Sequence, residues 1–156
     1  MLRRLQRKAK SFTGLIAFVK VWLLPAWVLL GLSRLAVLVV PMRYIGRFMG
    51  VSCELDTAPP EIDERQEHRA REIGRVVRIA AGYAPWNANC FAQALTARVL
   101  MGLYRAPYAI FFGVMRDPET REMKAHAWVA AGSVKITGGD GFAQFAVVAA
   151  YLPARR

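Results

Sequence analysis

The sequence predicts an α+β fold, with helices first and an antiparallel sheet after them. Three observations carry this. Apolar residues recur at helical spacing up to about Met101. From Ala106 onward they give way to short aromatic and β-branched runs. Clusters of Gly, Pro and Asp separate those runs at hairpin intervals. The 156 residues make one ordinary domain, long enough to bury a core without disulfide staples.

The first third stands apart in composition. Residues 1–50 hold nine bases (Arg3, Arg4, Arg7, Lys8, Lys10, Lys20, Arg34, Arg43 and Arg47) and no acid. The remainder holds 13 bases and 11 acids, so the net charge of +11 belongs mostly to the N-terminal third. Residues 11–41 are strongly apolar, but Lys20 and Arg34 interrupt them and leave an uncharged run of 13 residues, Val21 to Ser33. A spanning helix needs about 20 apolar residues. A base at mid-bilayer costs on the order of 2.5–3.5 kcal/mol, and Pro25 disfavours a regular helix. A secretory signal is disfavoured by the length of the run, by Lys20 and by the lack of a small-x-small cleavage site. The expectation is two or three helices, kinked near Pro25 and ended near Pro41, packed on the body as a helical subdomain over residues 1–52. The basic side of residues 1–50 also suits a membrane surface or an acidic partner. No helix-turn-helix and no aromatic-basic stacking pattern accompanies the charge, so nucleic acid is not an expected partner.

Gly50 to Pro60 is turn-rich and reads as the connector to a core over residues 53–156. Glu61 to Ala81 follows as an amphipathic helix with Ile62, Ile73, Val76, Val77 and Ala80 on one face. His68 lies among its charged residues and reads as solvated. Gly82 to Pro85 ends that helix, and Trp86 to Asn89 forms a short loop. The next helix begins at Asn89 or Cys90, runs to about Met101, and Gly102 is placed to end it. Strands are expected over Tyr108–Val114, Met123–Ala131, Val134–Ile136 and Phe145–Tyr151. Asp117-Pro118 turns the first hairpin and Gly138-Gly139-Asp140-Gly141 forms the last loop.

Two cysteines make no disulfide framework and suit a reduced, cytoplasmic setting. No His/Cys cluster has metal-ligand spacing, and no cofactor motif is evident. Cys53 lies in the connector and receives no role. Cys90 heads its helix, where unpaired N–H groups and the dipole favour an anion and suit a nucleophile. On position alone, a small buried side chain is the commoner fate of a free cysteine. Strand alternation places His126 with Lys124 and Trp128 on one face, with Met123, Ala125, Ala127 and Val129 on the other. An imidazole there suits a general base, or equally a half-exposed residue with no task. Asp140 is the only carboxylate side chain after Glu122. It can return beside His126 as an orienting group, or simply shape its glycine-rich turn. Asn87, Asn89, Gln93 and Trp86 flank Cys90 as candidate oxyanion donors or cleft walls, and each also fits an ordinary loop, cap or core role.

Three segments together resemble a known family. They are Trp86-Asn87-Ala88-Asn89-Cys90-Phe91-Ala92-Gln93-Ala94-Leu95, Ala125-His126-Ala127-Trp128-Val129, and Thr137-Gly138-Gly139. They resemble the leader-peptidase B protein of lasso-peptide biosynthesis, a transglutaminase-like cysteine protease. The likeness covers about residues 83–151, and more loosely the helices that end in Pro41-Met42-Arg43-Tyr44-Ile45-Gly46-Arg47. It implies a papain/transglutaminase-like core and a triad of Cys90, His126 and Asp140. It implies removal of the leader from a ribosomally made precursor peptide, before a partner synthetase closes the macrolactam. A separate leader-recognition protein would be a further partner. The maturation complex would depend on ATP, for which this chain shows no phosphate-binding loop. A transglutaminase-like acyltransferase would use the same groups, and a non-catalytic membrane-associated scaffold is the reading without chemistry.

Overall fold

The computed structural model describes residues 17–139 and 141–154. Its elements in chain order are α1 (Ala17–Val39), α2 (Met42–Met49), β1 (Val51–Cys53), α3 (Glu64–Gly82), α4 (Cys90–Leu103), β2 (Ala109–Arg116), β3 (Met123–Ala131), β4 (Val134–Thr137), a 3₁₀ turn (Gly141–Gln144) and β5 (Ala146–Leu152). The expected α+β order is the observed one. The five strands form one antiparallel sheet in the order β1-β5-β2-β3-β4. Helices α3 and α4 cover one face of it over β3 and β4, and α1 lies across α3 and α4.

Local chemistry accounts for the helix ends. Asp63 caps α3 in a capping box: its side chain accepts from Gln66 N at 2.8 Å, and its own N–H donates to Gln66 Oε1 at 3.0 Å. The helix therefore starts after Asp63 rather than at Glu61. Gly102 does not end α4 as expected. The helix runs on to Leu103, and the left-handed residue past its end is Arg105, with φ 51°. The Ala106 N–H then donates to Met101 O at 3.1 Å, closing the last turn. Buried Leu100 and Met101 hold this final turn on the core, which outweighs glycine's preference for a terminus.

A single helix runs through Pro25 to Val39 and ends just before Pro41. Proline removes one backbone donor, and the carbonyl that loses it belongs to Val21, on the exposed side of the helix. The opposite side of α1 is anchored to the body. Val19, Ala26 and Leu30 are fully buried. Trp22 Nε1 donates to the Tyr104 hydroxyl at 2.6 Å, and the Arg69 guanidinium lies over the rings of Phe18 and Tyr104 at 4.3 and 4.5 Å. Arg69 also pairs with the buried carboxylate of Glu72 at 2.8 Å.

The connector holds more order than the sequence suggested. Val51–Cys53 straddles the expected boundary between residues 52 and 53 and pairs with β5 as an edge strand. The first hairpin turns on Asp117, whose carboxylate accepts from Lys124 and from the N–H groups of Thr120 and Glu119. The Lys124 partner first, then those two N–H groups, hold its pKa well below the ordinary carboxylate range. The stabilisation this gives the turn is present above the ordinary carboxylate range and is lost as pH falls through the depressed folded value.

The sheet buries both faces. Ile110, Ala127, Val129, Ala131 and Ile136 join the helices in the larger core, while Phe111, Trp128, Ala130 and Ala150 form a smaller cluster on the other side. Close approach of α3 to β4 depends on Gly74, where a Cβ would stand 2.6 Å from the Ile136 carbonyl oxygen. Gly74→Ala should lower stability by roughly 1–3 kcal/mol through overpacking, despite alanine's better helix propensity. Gly102→Ala, where a Cβ meets nothing within 4 Å, should raise it by roughly 0.5–1 kcal/mol. Urea unfolding of the two variants beside the parent checks the pair of signs.

Candidate functional site

Cys90 is the first residue of α4. Asn89 caps the helix with its side-chain oxygen, which accepts from Ala92 N at 3.0 Å. Gln93 Nε2 reaches back and donates to the Ala88 carbonyl at 2.8 Å. The two side chains thus tie the loop Ala88–Asn89 to the first turn and fix the direction in which the chain delivers the thiol. Cys90 itself is half-buried against the helix-facing core. Its neighbour Phe91 meets Phe112 edge-on, with ring centroids 5.0 Å apart.

Trp86 is wedged under α1. Its ring lies 4.7 Å from that of Trp27, and a Cβ on Gly31 would stand 3.0 Å from it. Its indole Nε1 is buried without a hydrogen-bond partner, a state that costs about 1–3 kcal/mol where it persists. Of the flanking candidates, Asn89 and Gln93 act in the helix start, Trp86 fills the space below α1, and Asn87 is exposed in the loop.

His126 lies on β3 opposite Gly113 of β2. Its ring stacks beside Trp128 at 6.0 Å and leans on Phe145 at 5.1 Å. Nε2 is 2.8 Å from the Gly138 carbonyl oxygen. A carbonyl only accepts, so this contact assigns the proton to Nε2 and leaves Nδ1 of the neutral ring as a bare lone pair. That is the tautomer a general base requires. Gly138 makes the contact possible with φ +97°, and a Cβ there would stand 2.4 Å from Trp128 Cβ and 3.2 Å from His126 Nε2. The sequence pointed to Asp140 as the orienting group. Asp140 lies outside the described residues, and the orienting partner seen is the backbone of Gly138, which no side-chain motif announces.

The alternation read from the sequence holds along β3. Ala127 packs with Cys90, Phe91 and Phe112 in the helix-facing core. His126 sits with Trp128 and Phe145 on the opposite face. The two groups are level along the strand, since Phe112 pairs with Ala127, the residue beside His126. No hydrogen bond joins Cys90 to His126 among the described residues.

The imidazole's face carries a cleft of about 360 Å³ lined by Leu55, Thr57, Pro59, Phe111, Trp128 and Phe145, among others. Two of these residues touch His126, so the cleft opens next to the imidazole and suits an apolar or aromatic side chain. Among the described residues, no group of three His, Cys, Asp or Glu side chains is placed to hold a metal ion.

One family model matches the chain, that of the transglutaminase-like superfamily, over residues 34–150. No curated protein and no solved structure matches it.

Two outcomes test this geometry. Gly138→Ala should displace the imidazole, read as loss of the Nε2-protonated signature of His126 in ¹⁵N NMR of the neutral ring. Asn89→Ala should cost roughly 1 kcal/mol through loss of the cap, measured by denaturant unfolding.

Proposed function

From the premise that the chain belongs to the transglutaminase-like superfamily, whose members are of cysteine protease or acyltransferase kind, we propose that it is a cysteine peptidase with Cys90 as nucleophile and His126 as base. The observation that carries this reading is a capped helix that begins on a cysteine, together with an imidazole held in the tautomer with Nδ1 bare. In the proposed reaction Nδ1 takes the thiol proton and the thiolate attacks the scissile carbonyl. Free N–H groups at the start of α4 receive the oxyanion. The C–N bond breaks as the imidazolium protonates the departing amine, leaving a thioester. Water, deprotonated by the same imidazole, hydrolyses the thioester and releases the acid.

The substrate class follows from the motif likeness: the leader of a ribosomally made lasso-peptide precursor, removed before a partner synthetase forms the macrolactam. A separate leader-recognition protein would present the precursor, and the ATP dependence of such a complex would reside outside this chain. In an acyltransferase the same thioester would pass to an amine instead of water. The motif likeness gives Asp140 as the third member of the triad, in the orienting role that the Gly138 carbonyl fills among the described residues.

No hydrogen bond joins thiol and imidazole among the described residues of the free chain, so the reading requires that the pair close when substrate and partner bind. Catalytic contacts are commonly loose before the substrate arrives. The absence of a thiol–imidazole hydrogen bond favours a second reading, a scaffold without chemistry.

An assay of leader cleavage with the precursor and its partners present separates these readings. Cys90→Ala and His126→Ala should each abolish cleavage and leave the fold intact, read by circular dichroism. Alkylation of Cys90 by iodoacetamide should be accelerated by precursor in the parent and not in His126→Ala. Cleavage that survives either substitution would refute the pair, and a transamidated product would identify the acyltransferase. No reaction and no change in labelling would leave the scaffold reading standing.

A further inference from the structure

Helix α1 is apolar on two sides. One side packs on the body through Val19, Ala26 and Leu30. The helical period of about 3.6 residues brings Val21, Leu24, Val28, Leu32, Leu35 and Val39 into line on the opposite side. All six are exposed, Val21 and Leu24 to 69% and Leu35 to 54%. An unbroken row of this kind is not the scattered apolar exposure of an ordinary surface. Leu32 continues it into an apolar groove of about 330 Å³ that also takes in Ala36, Val40, Tyr44, Phe48 and Leu95.

The charge around this surface has one sign. Lys20 and Arg34 of α1 and Arg43 and Arg47 of α2 accompany it, five more bases precede α1 in the sequence, and residues 1–50 hold no acid. An acidic-peptide partner would account for the bases but not for the apolar row. A second copy of the chain would account for the row but would set these bases against each other. A bilayer with anionic headgroups satisfies both. The aromatic Tyr44 and Phe48, half exposed beside Arg43 and Arg47, suit the headgroup boundary.

We propose that the outer side of α1 and the exposed side of α2 seat the chain on an anionic membrane surface, with α1 lying in the plane of the interface. The helix is long and apolar enough to cross a bilayer by composition. Its inner side, however, is committed to α3 and α4, and leaving them would expose Val19, Ala26 and Leu30 together with the core beneath. The contact places the chain's basic third at the lipid and leaves the sheet and its cleft facing the aqueous phase. It is independent of the peptidase reading.

Flotation of the full chain with two vesicle types tests the proposal: phosphatidylcholine alone, and phosphatidylcholine mixed with phosphatidylglycerol. The chain should float with the mixed vesicles, remain behind with phosphatidylcholine alone, and be released by salt or alkaline carbonate. Arg43→Glu with Arg47→Glu should weaken binding by at least about tenfold. Leu24→Glu with Leu35→Glu should abolish it. Both variants change exposed side chains, and unchanged thermal unfolding would show that they fold. Four results would overturn the proposal: no flotation with either vesicle, flotation indifferent to anionic lipid, retention through carbonate, or a lipid-free oligomer that Leu24→Glu with Leu35→Glu converts to monomer. The third would mean a spanning helix, and the last a second copy as the occupant.

Discussion

Burial of α4 between the sheet, α3 and α1 is the constraint on which the rest of the structure depends. The helix lies between the sheet and α1, and Ala92, Ala94, Leu95, Thr96, Ala97, Leu100 and Met101 are all inaccessible. Its alanines leave little side chain between backbones, which permits close approach on both sides. Thr96 is the one polar residue of that set, and its hydroxyl is satisfied by the Ala92 carbonyl at 2.8 Å and by Ser33 of α1 at 3.2 Å. A helix packed against the sheet and two other helices cannot rotate or slide without opening the core. Its first residue is therefore held in one place, which is what a nucleophile position requires.

The second organising element is the period-2 alternation of β3. It places Ala127 and Val129 under the helices and His126 and Trp128 on the far face. Each of these environments is chemically consistent. Small and branched side chains fill the space against α4, and on the other face Phe111 stacks on Trp128 while Phe145 leans on His126. The imidazole is seated by packing against two of these rings and by one hydrogen bond from Nε2. A backbone carbonyl fixes the tautomer without adding a charge, so its hold on the ring does not vary with the ionisation of an acid.

Charge and apolarity are distributed by the same logic. The acids gather on α3 and around the hairpin at Asp117, where they meet arginines and Lys124. The N-terminal third contains only bases. Helix α1 serves the core with one side and presents a second apolar side outward. That outer side contributes nothing to the core's burial, which is why an external surface accounts for it best.

The order of elements, the limits of β3, the start of α4 at Cys90 and the face assigned to His126 were all legible in the sequence, because they rest on local periodicity and capping chemistry. Asn89 is a good cap wherever a helix follows it, and alternation along a strand needs no knowledge of its neighbours. Other features were decided by contacts between distant residues. Val51–Cys53 is a strand only because β5 has an edge to offer. α1 runs through Pro25 because α3 and α4 hold its inner side. Gly138 orients His126 because the turn after β4 returns past β3. The approach of Cys90 to His126 also belongs to this class: each position followed from its own segment, but whether the two side chains meet depends on how α4 docks on the sheet, and only long-range packing decides that.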